Sequence, residues 1–268
     1  TIYLKSKPLE TSEDMSQFFS SRIVGGVDAE DGYAPHMVAL VVGHDYRVLV
    51  CGGSIVSSKL ILTAAHCVEM FVVWGQLLPT FHGIVGSNYW DTPSNAVQFE
   101  NFHIHPQWDW STLKNDIAVL SMTEDLVWST TVGPVALSFE RVEGEEPAYV
   151  TGWGQLPWPS PPITPPRLQK LNVKTMSHED CVNALEEFAK SFNETTLPEI
   201  AAEIEICTFH SFGHGMCNGD SGSALVSRIT NEQIGIVSWG IPCARGAPDI
   251  FVRISGYKPF FERILASY

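Results

Sequence analysis

The chain has 268 residues, of which 17% are charged and 11% aromatic. That length allows one large or two modest hydrophobic cores, and the composition excludes a disordered chain. Formal net charge is −14, and because Lys5, Lys7 and Arg22 cancel Glu10, Glu13 and Asp14, all of it lies from Ile23 onward. So acidic a surface repels phosphate backbones, which excludes nucleic acid as the expected partner. No apolar run is long enough to span a membrane.

Thr1 to Arg22 is polar and shows little periodicity, which reads as a tail. Met37 to Val42, Val48 to Cys51, Lys59 to Thr63 and Val97 to His105 are rich in β-branched and aromatic residues and read as strands. His103 and His105 share one side of the last of these, and an ordinary strand entering Pro106 explains them better than a metal site. The six prolines between Trp153 and Arg167 favour extended backbone in a stiff surface loop. Ser177 is placed to cap a helix, with Glu179 and Asp180 in its first turn. Val182, Leu185, Phe188, Ala189 and Phe192 then recur at helical spacing, as a core face does. Asn193-Glu194-Thr195 is an N-glycosylation acceptor pattern. An extra helical turn is expected over Glu199 to Glu205. Phe260, Phe261, Ile264 and Leu265 mark a C-terminal helix, expected to pack on the second half of the chain. Many short strands with Gly and Pro turns predict an all-β barrel or sandwich.

Three stretches carry chemistry. Gly219-Asp220-Ser221-Gly222 presents a serine among glycines, where backbone N–H groups can approach a ligand closely. A serine hydroxyl needs a base beside it to act as a nucleophile. Ala64-Ala65-His66-Cys67 offers that base, and Asp116-Ile117-Ala118 puts a carboxylate at the head of an apolar strand. The order His66, Asp116, Ser221 matches one of the convergent triad arrangements. Taken with Arg22-Ile23-Val24-Gly25-Gly26, Cys51-Gly52-Gly53-Ser54, Thr151-Gly152-Trp153-Gly154 and Ser238-Trp239-Gly240, these stretches resemble the chymotrypsin/trypsin family of serine proteases from Ile23 to the C-terminus.

The resemblance implies two six-stranded antiparallel β-barrels with the catalytic cleft between them and a C-terminal helix. It divides the chain into a pro-segment (1–22), an N-terminal barrel (23–133) and a C-terminal barrel with the helix (134–268). It implies Ser221 as nucleophile, His66 as base, Asp116 as its orienting acid, and the Gly219 and Ser221 amides as oxyanion donors. Cleavage after Arg22 by a trypsin-like protease would free an ammonium on Ile23 to pair with Asp220, so the chain with Thr1 is expected to be an inactive zymogen. Six cysteines allow fifteen pairings. The resemblance picks Cys51–Cys67, Cys181–Cys207 and Cys217–Cys243, which suits an oxidising, extracellular compartment. The leader of a secreted chain is taken as already removed.

For specificity, the resemblance puts Gly215 at the base of the substrate pocket, Gly240 at its mouth beside Ser238 and Trp239, and Met216 and Asp249 on its walls. An open, uncharged base favours large apolar P1 residues. A carboxylate at Asp249 also suits arginine or lysine, as in the broad, collagenase-like arthropod members. Ser223 stands where a second glycine is usual. No cofactor or metal is expected, including calcium, because Phe71 to Trp90 lacks carboxylates. Protein or peptide substrates and a monomeric state are expected. A cascade protease, and a non-catalytic binding protein on the same fold, are the alternatives.

Overall fold

A computed structural model describes residues 23–92, 95–156, 162–192, 197–241 and 243–268. Arg22, Asn193 and part of the proline-rich loop, with the readings placed on them, lie outside the described residues.

Two twisted antiparallel sheets carry the fold, and β5 (Val72–Val73) and β6 (Gln76–Leu77) pair as a separate two-stranded ribbon. The first follows the order β8 (Ala96–Val97), β7 (Phe81–Val85), β2 (Met37–Val42), β3 (Val48–Ile55), β4 (Leu60–Thr63), β10 (Ala118–Met122), β9 (Phe99–Ile104) and is nearly closed. Its strands β4 and β10 are buried on both faces, which is why they read as continuous Leu/Ile/Val runs. The second sheet contains β11 (Pro147–Gly152), β12 (Gln169–Thr175), β13 (Glu205–Phe209), β14 (Ala224–Ser227), β15 (Gln233–Gly240) and β16 (Asp249–Arg253). Pairing of β12 with β13 closes these six strands into a barrel. In β12, Gln169, Leu171, Val173 and Thr175 are buried while Asn172 and Lys174 are exposed, the alternation of a strand packed on one face.

Two segments cross between the sheets. Strand β1 (Val27–Asp28) comes from the start of the chain yet pairs with β12 of the second barrel. The C-terminal helix (Lys258–Leu265), with Pro259 in its first turn, packs on the first barrel rather than the second: Phe260, Phe261 and Ile264 join Leu60, Ile61 and Val119 in one core. The expectation for the helix is corrected because its apolar face matches the uncovered outer side of β4 and β10. The two crossings lace the barrels together.

Helix α1 (Ala65–Glu69) follows β4 directly. Helix α2 (His178–Phe192) starts where expected, with the Asp180 amide donating to Ser177 Oγ at 3.1 Å. The expected helical turn over 199–205 is a single hydrogen-bonded turn, with Glu205 N–H donating to Ala201 C=O at 2.8 Å before β13 begins. Disulfides join Cys51 to Cys67, Cys181 to Cys207 and Cys217 to Cys243. The first ties β3 to the His66 helix, and the last ties the Ser221 loop to the loop after β15. No described helix is long and apolar enough to cross a membrane.

Candidate active site

His66 is placed by the short α1 helix, with its backbone N–H donating to Asp116 Oδ1 at 2.9 Å and its ring Nδ1 lying 2.8 Å from Asp116 Oδ2. A carboxylate only accepts, so Nδ1 carries the proton and Nε2 of the neutral ring keeps its lone pair. Asp116 is 1% exposed and also accepts Ser238 Oγ–H at 2.6 Å. His66 and Asp116 come from the first barrel and Ser238 from β15 of the second, so this hydrogen-bonded chain spans the cleft. Just before Asp116, Asn115 takes a left-handed turn (φ 59°), and its side-chain carbonyl accepts Tyr257 O–H at 3.2 Å.

Ser221 lies in the loop between β13 and β14. Its carbonyl accepts the Gly52 amide at 2.7 Å, and the Gly222 amide donates to Val237 C=O at 2.8 Å, pinning the loop to both barrels. Gly222 has φ +82°, and a Cβ there would fall 2.2 Å from Thr63 Oγ1 and 2.3 Å from Gly52 O, so only glycine fits. Ser223 is fully buried against Gly52, and among the described residues its hydroxyl has no hydrogen-bond partner.

Ser221 opens onto a pocket of about 150 Å³ whose lining includes Met216, Ser238, Trp239, Gly240 and Asp249. Cys217, Asn218 and Val237, not expected among the pocket walls, complete it. Gly215 sits just behind, where a Cβ would come within 2.7 Å of Asp249 Oδ2. Asp249 is 8% exposed and accepts the Met216 amide at 3.1 Å. Burial pushes its carboxyl up to about 8, and the negative charge of Asp220 adds to the rise.

Asp220 is fully buried and accepts the Gly154 amide at 2.7 Å and the Cys217 amide at 3.0 Å. Burial raises it to about 6. Ile23 is fully buried in the same core as Met216, and Val24 bridges to Gly215. The start of the matched region therefore sits beside the pocket-forming loop.

Two features were not read from sequence. Trp108 and Trp110 flank His66, with ring centroids 6.5 and 6.0 Å from the imidazole, and Trp108 Nε1–H donates to Glu69 at 2.7 Å. The Trp-Asp-Trp run six residues before Asp116 was the available signal. Glu205, Lys114 and Trp239 form the second cluster. His66 also lies near Cys51 and Cys67, but both sulfurs are committed to a disulfide and offer no thiolate to a metal.

A profile of the trypsin family matches residues 23–261. The chain is 35% identical over 236 residues to Hypodermin-A of Hypoderma lineatum, covering 87% of this chain and 84% of that protein. It is 33% identical over 242 residues to Chymotrypsin-2 of Vespa crabro, covering 90% and 99%. Trypsin delta of Drosophila melanogaster is 32% identical over 238 residues, covering 88% and 86%.

Proposed function

Given that the chain belongs to the trypsin family and is a serine endopeptidase, we propose that His66, Asp116 and Ser221 are its catalytic residues, in a secreted zymogen activated by cleavage after Arg22. The observation that carries this is the His66–Asp116–Ser238 hydrogen-bonded chain beside the pocket that Ser221 opens onto.

In this mechanism Ser221 Oγ attacks the scissile carbonyl and its proton passes to His66 Nε2. The imidazolium returns that proton to the leaving amine, and water repeats the cycle to release the acid. Asp116 holds the tautomer that leaves Nε2 basic. The Gly219 and Ser221 amides stabilise the oxyanion; one such donor is worth about 3–4 kcal/mol in comparable sites. For activation, an ammonium on Ile23 pairs with Asp220. A buried carboxylate held by backbone amides alone favours gaining such a partner, because the pair offsets its desolvation.

The preferred P1 residue is large and apolar, because Gly240 leaves the pocket mouth open and Asp249 carries a proton at neutral pH. The second reading is broad specificity, favoured by the Asp249 carboxyl in the pocket lining: an entering guanidinium or ammonium would draw off its proton and pair with it. The test is activity before and after limited trypsin treatment, with the new N-terminus sequenced, on peptides ending in Phe, Leu or Arg. Activity appearing with an Ile23 terminus and highest on Phe or Leu supports the first reading. Comparable Arg cleavage supports the second, and no activity despite an Ile23 terminus overturns the catalytic assignment.

A further inference from the structure

A largely buried ion pair, with Lys114 partly exposed, spans the cleft behind the pocket wall. Lys114, two residues before Asp116, places its ammonium 2.9 Å from each carboxylate oxygen of Glu205, the first residue of β13. Their side chains are 18% and 4% exposed. Glu205 Oε1 also accepts Trp239 Nε1–H at 2.8 Å, and Oε2 accepts the Ala201 amide at 2.7 Å. The Lys114 ammonium lies 5.2 Å from the centroid of the Trp239 ring. The indole is thus held at its N–H by the carboxylate and at its ring by the ammonium.

Three successive residues of the Asp116 loop are thereby tied to the second barrel: Lys114 to Glu205, Asn115 to Tyr257 and Asp116 to Ser238. Tyr257 senses two of these anchors, since burial raises its hydroxyl and the charges of Glu205 and Asp116 raise it further. Breaking a buried pair leaves an uncompensated charge, so neither Lys114 nor Glu205 changes without disturbing the other.

We propose that Glu205 is a positioning residue for substrate binding: paired with Lys114, it fixes the Trp239 indole as a wall of the cleft and so sets peptide affinity, not the rate of the chemical step. This rests on the reading of the Ser221 pocket as the substrate site. Glu205→Gln keeps an acceptor for the indole but removes the charge that holds Lys114. Trp239→Phe keeps an aromatic ring, smaller than the indole, and removes the N–H. Lys114→Arg keeps the charge and serves as the conservative rescue.

Two readouts are needed: KM and kcat of the activated enzyme on peptide substrates, and calorimetric binding of an acetylated tetrapeptide acid ending in Phe to the Ser221→Ala protein. Glu205→Gln is expected to raise both KM and the peptide Kd about tenfold with kcat nearly unchanged. Trp239→Phe should lose a similar factor, and the double variant should lose little more than either alone. Lys114→Arg should stay near wild type. Unchanged KM and Kd, fully additive losses, or a fall confined to kcat would overturn the proposal. If Glu205→Gln does not fold, Trp239→Phe and Lys114→Arg still decide it. An activated wild-type enzyme that leaves the peptide substrates uncut while the Ser221→Ala protein binds the peptide acid refutes only the catalytic assignment, whereas no binding by the Ser221→Ala protein refutes both.

Discussion

Of the carboxylic acids buried beside the cleft, Asp116 comes from the first barrel and Asp249 from the second. Asp116 is 1% exposed and Asp249 8%. Asp116 accepts from the His66 amide, the His66 ring and the Ser238 hydroxyl, whereas Asp249 is held by the Met216 amide. Burial alone therefore does not assign a role. Three aimed donors make Asp116 an acceptor that orients its neighbours, while burial, opposed by a single backbone donor, pushes Asp249 up to about 8.

The largest test of this contrast is Asp116→Asn, which puts an amide where His66 needs an acceptor. We expect kcat to fall about 10⁴-fold with peptide affinity nearly kept, measured by steady-state kinetics after active-site titration. A drop that appears only in KM would mean that Asp116 does not orient the base.

Asp249→Asn should act on selectivity instead. Cleavage after Arg or Lys should fall about 10²-fold relative to Phe, with Phe turnover little changed. In the unaltered enzyme the Arg-to-Phe ratio of kcat/KM should climb as pH rises toward and past about 8, as Asp249 ionises. A ratio that stays flat from pH 6 to 9 would show that arginine never meets this carboxylate.

Ser238→Ala removes the second barrel's donor to Asp116 and keeps the His66 contacts. A loss in kcat of about tenfold is expected, the size of one hydrogen bond to a charged group.

Per pH unit the effect on stability is no larger, and its sign differs between the barrels. Asp249 is raised when folded, so the native chain binds more protons than the unfolded chain between about 4 and 8, and stability falls as pH rises through that window. His36, on the first barrel and 4% exposed, is lowered by burial to about 4. Its contribution is present above its unfolded value of about 6.5 and is lost as pH falls toward 4. Each slope is at most about 1.4 kcal/mol per pH unit for one proton. Urea denaturation should show Asp249→Asn removing its part of the fall in stability between about 4 and 8, and His36→Phe removing its part of the loss as pH drops from about 6.5 to 4. The reverse assignment would break the comparison.

Much of the site was legible as short motifs. His66, Asp116 and Ser221 each sit in a stretch with local demands: small residues around the histidine, an aspartate heading an apolar strand, glycines around the serine. Gly222 shows why such motifs are rigid, since its positive φ and its 2.2 Å clearance to Thr63 Oγ1 leave no room for a side chain. Strands were legible where burial was uniform, as in β2 and β4. The turn expected over 199 to 205 forms between Ala201 and Glu205, but nothing in its sequence told that it delivers Glu205 to the cleft.

The sequence by itself determined the element types, the chemistry on offer and the family, because strand alternation, helix caps and glycine-bounded motifs are set by neighbours in the chain. Only the tertiary structure decided that the C-terminal helix covers the first barrel, that Asp249 is buried beside the pocket, and that Lys114 and Glu205 meet behind Trp239. Each of these depends on surfaces brought together from distant segments: residues 114 and 205 are 91 positions apart. Local propensity carries no record of which apolar face is left uncovered, or of how much water a carboxylate keeps once both barrels have closed around it.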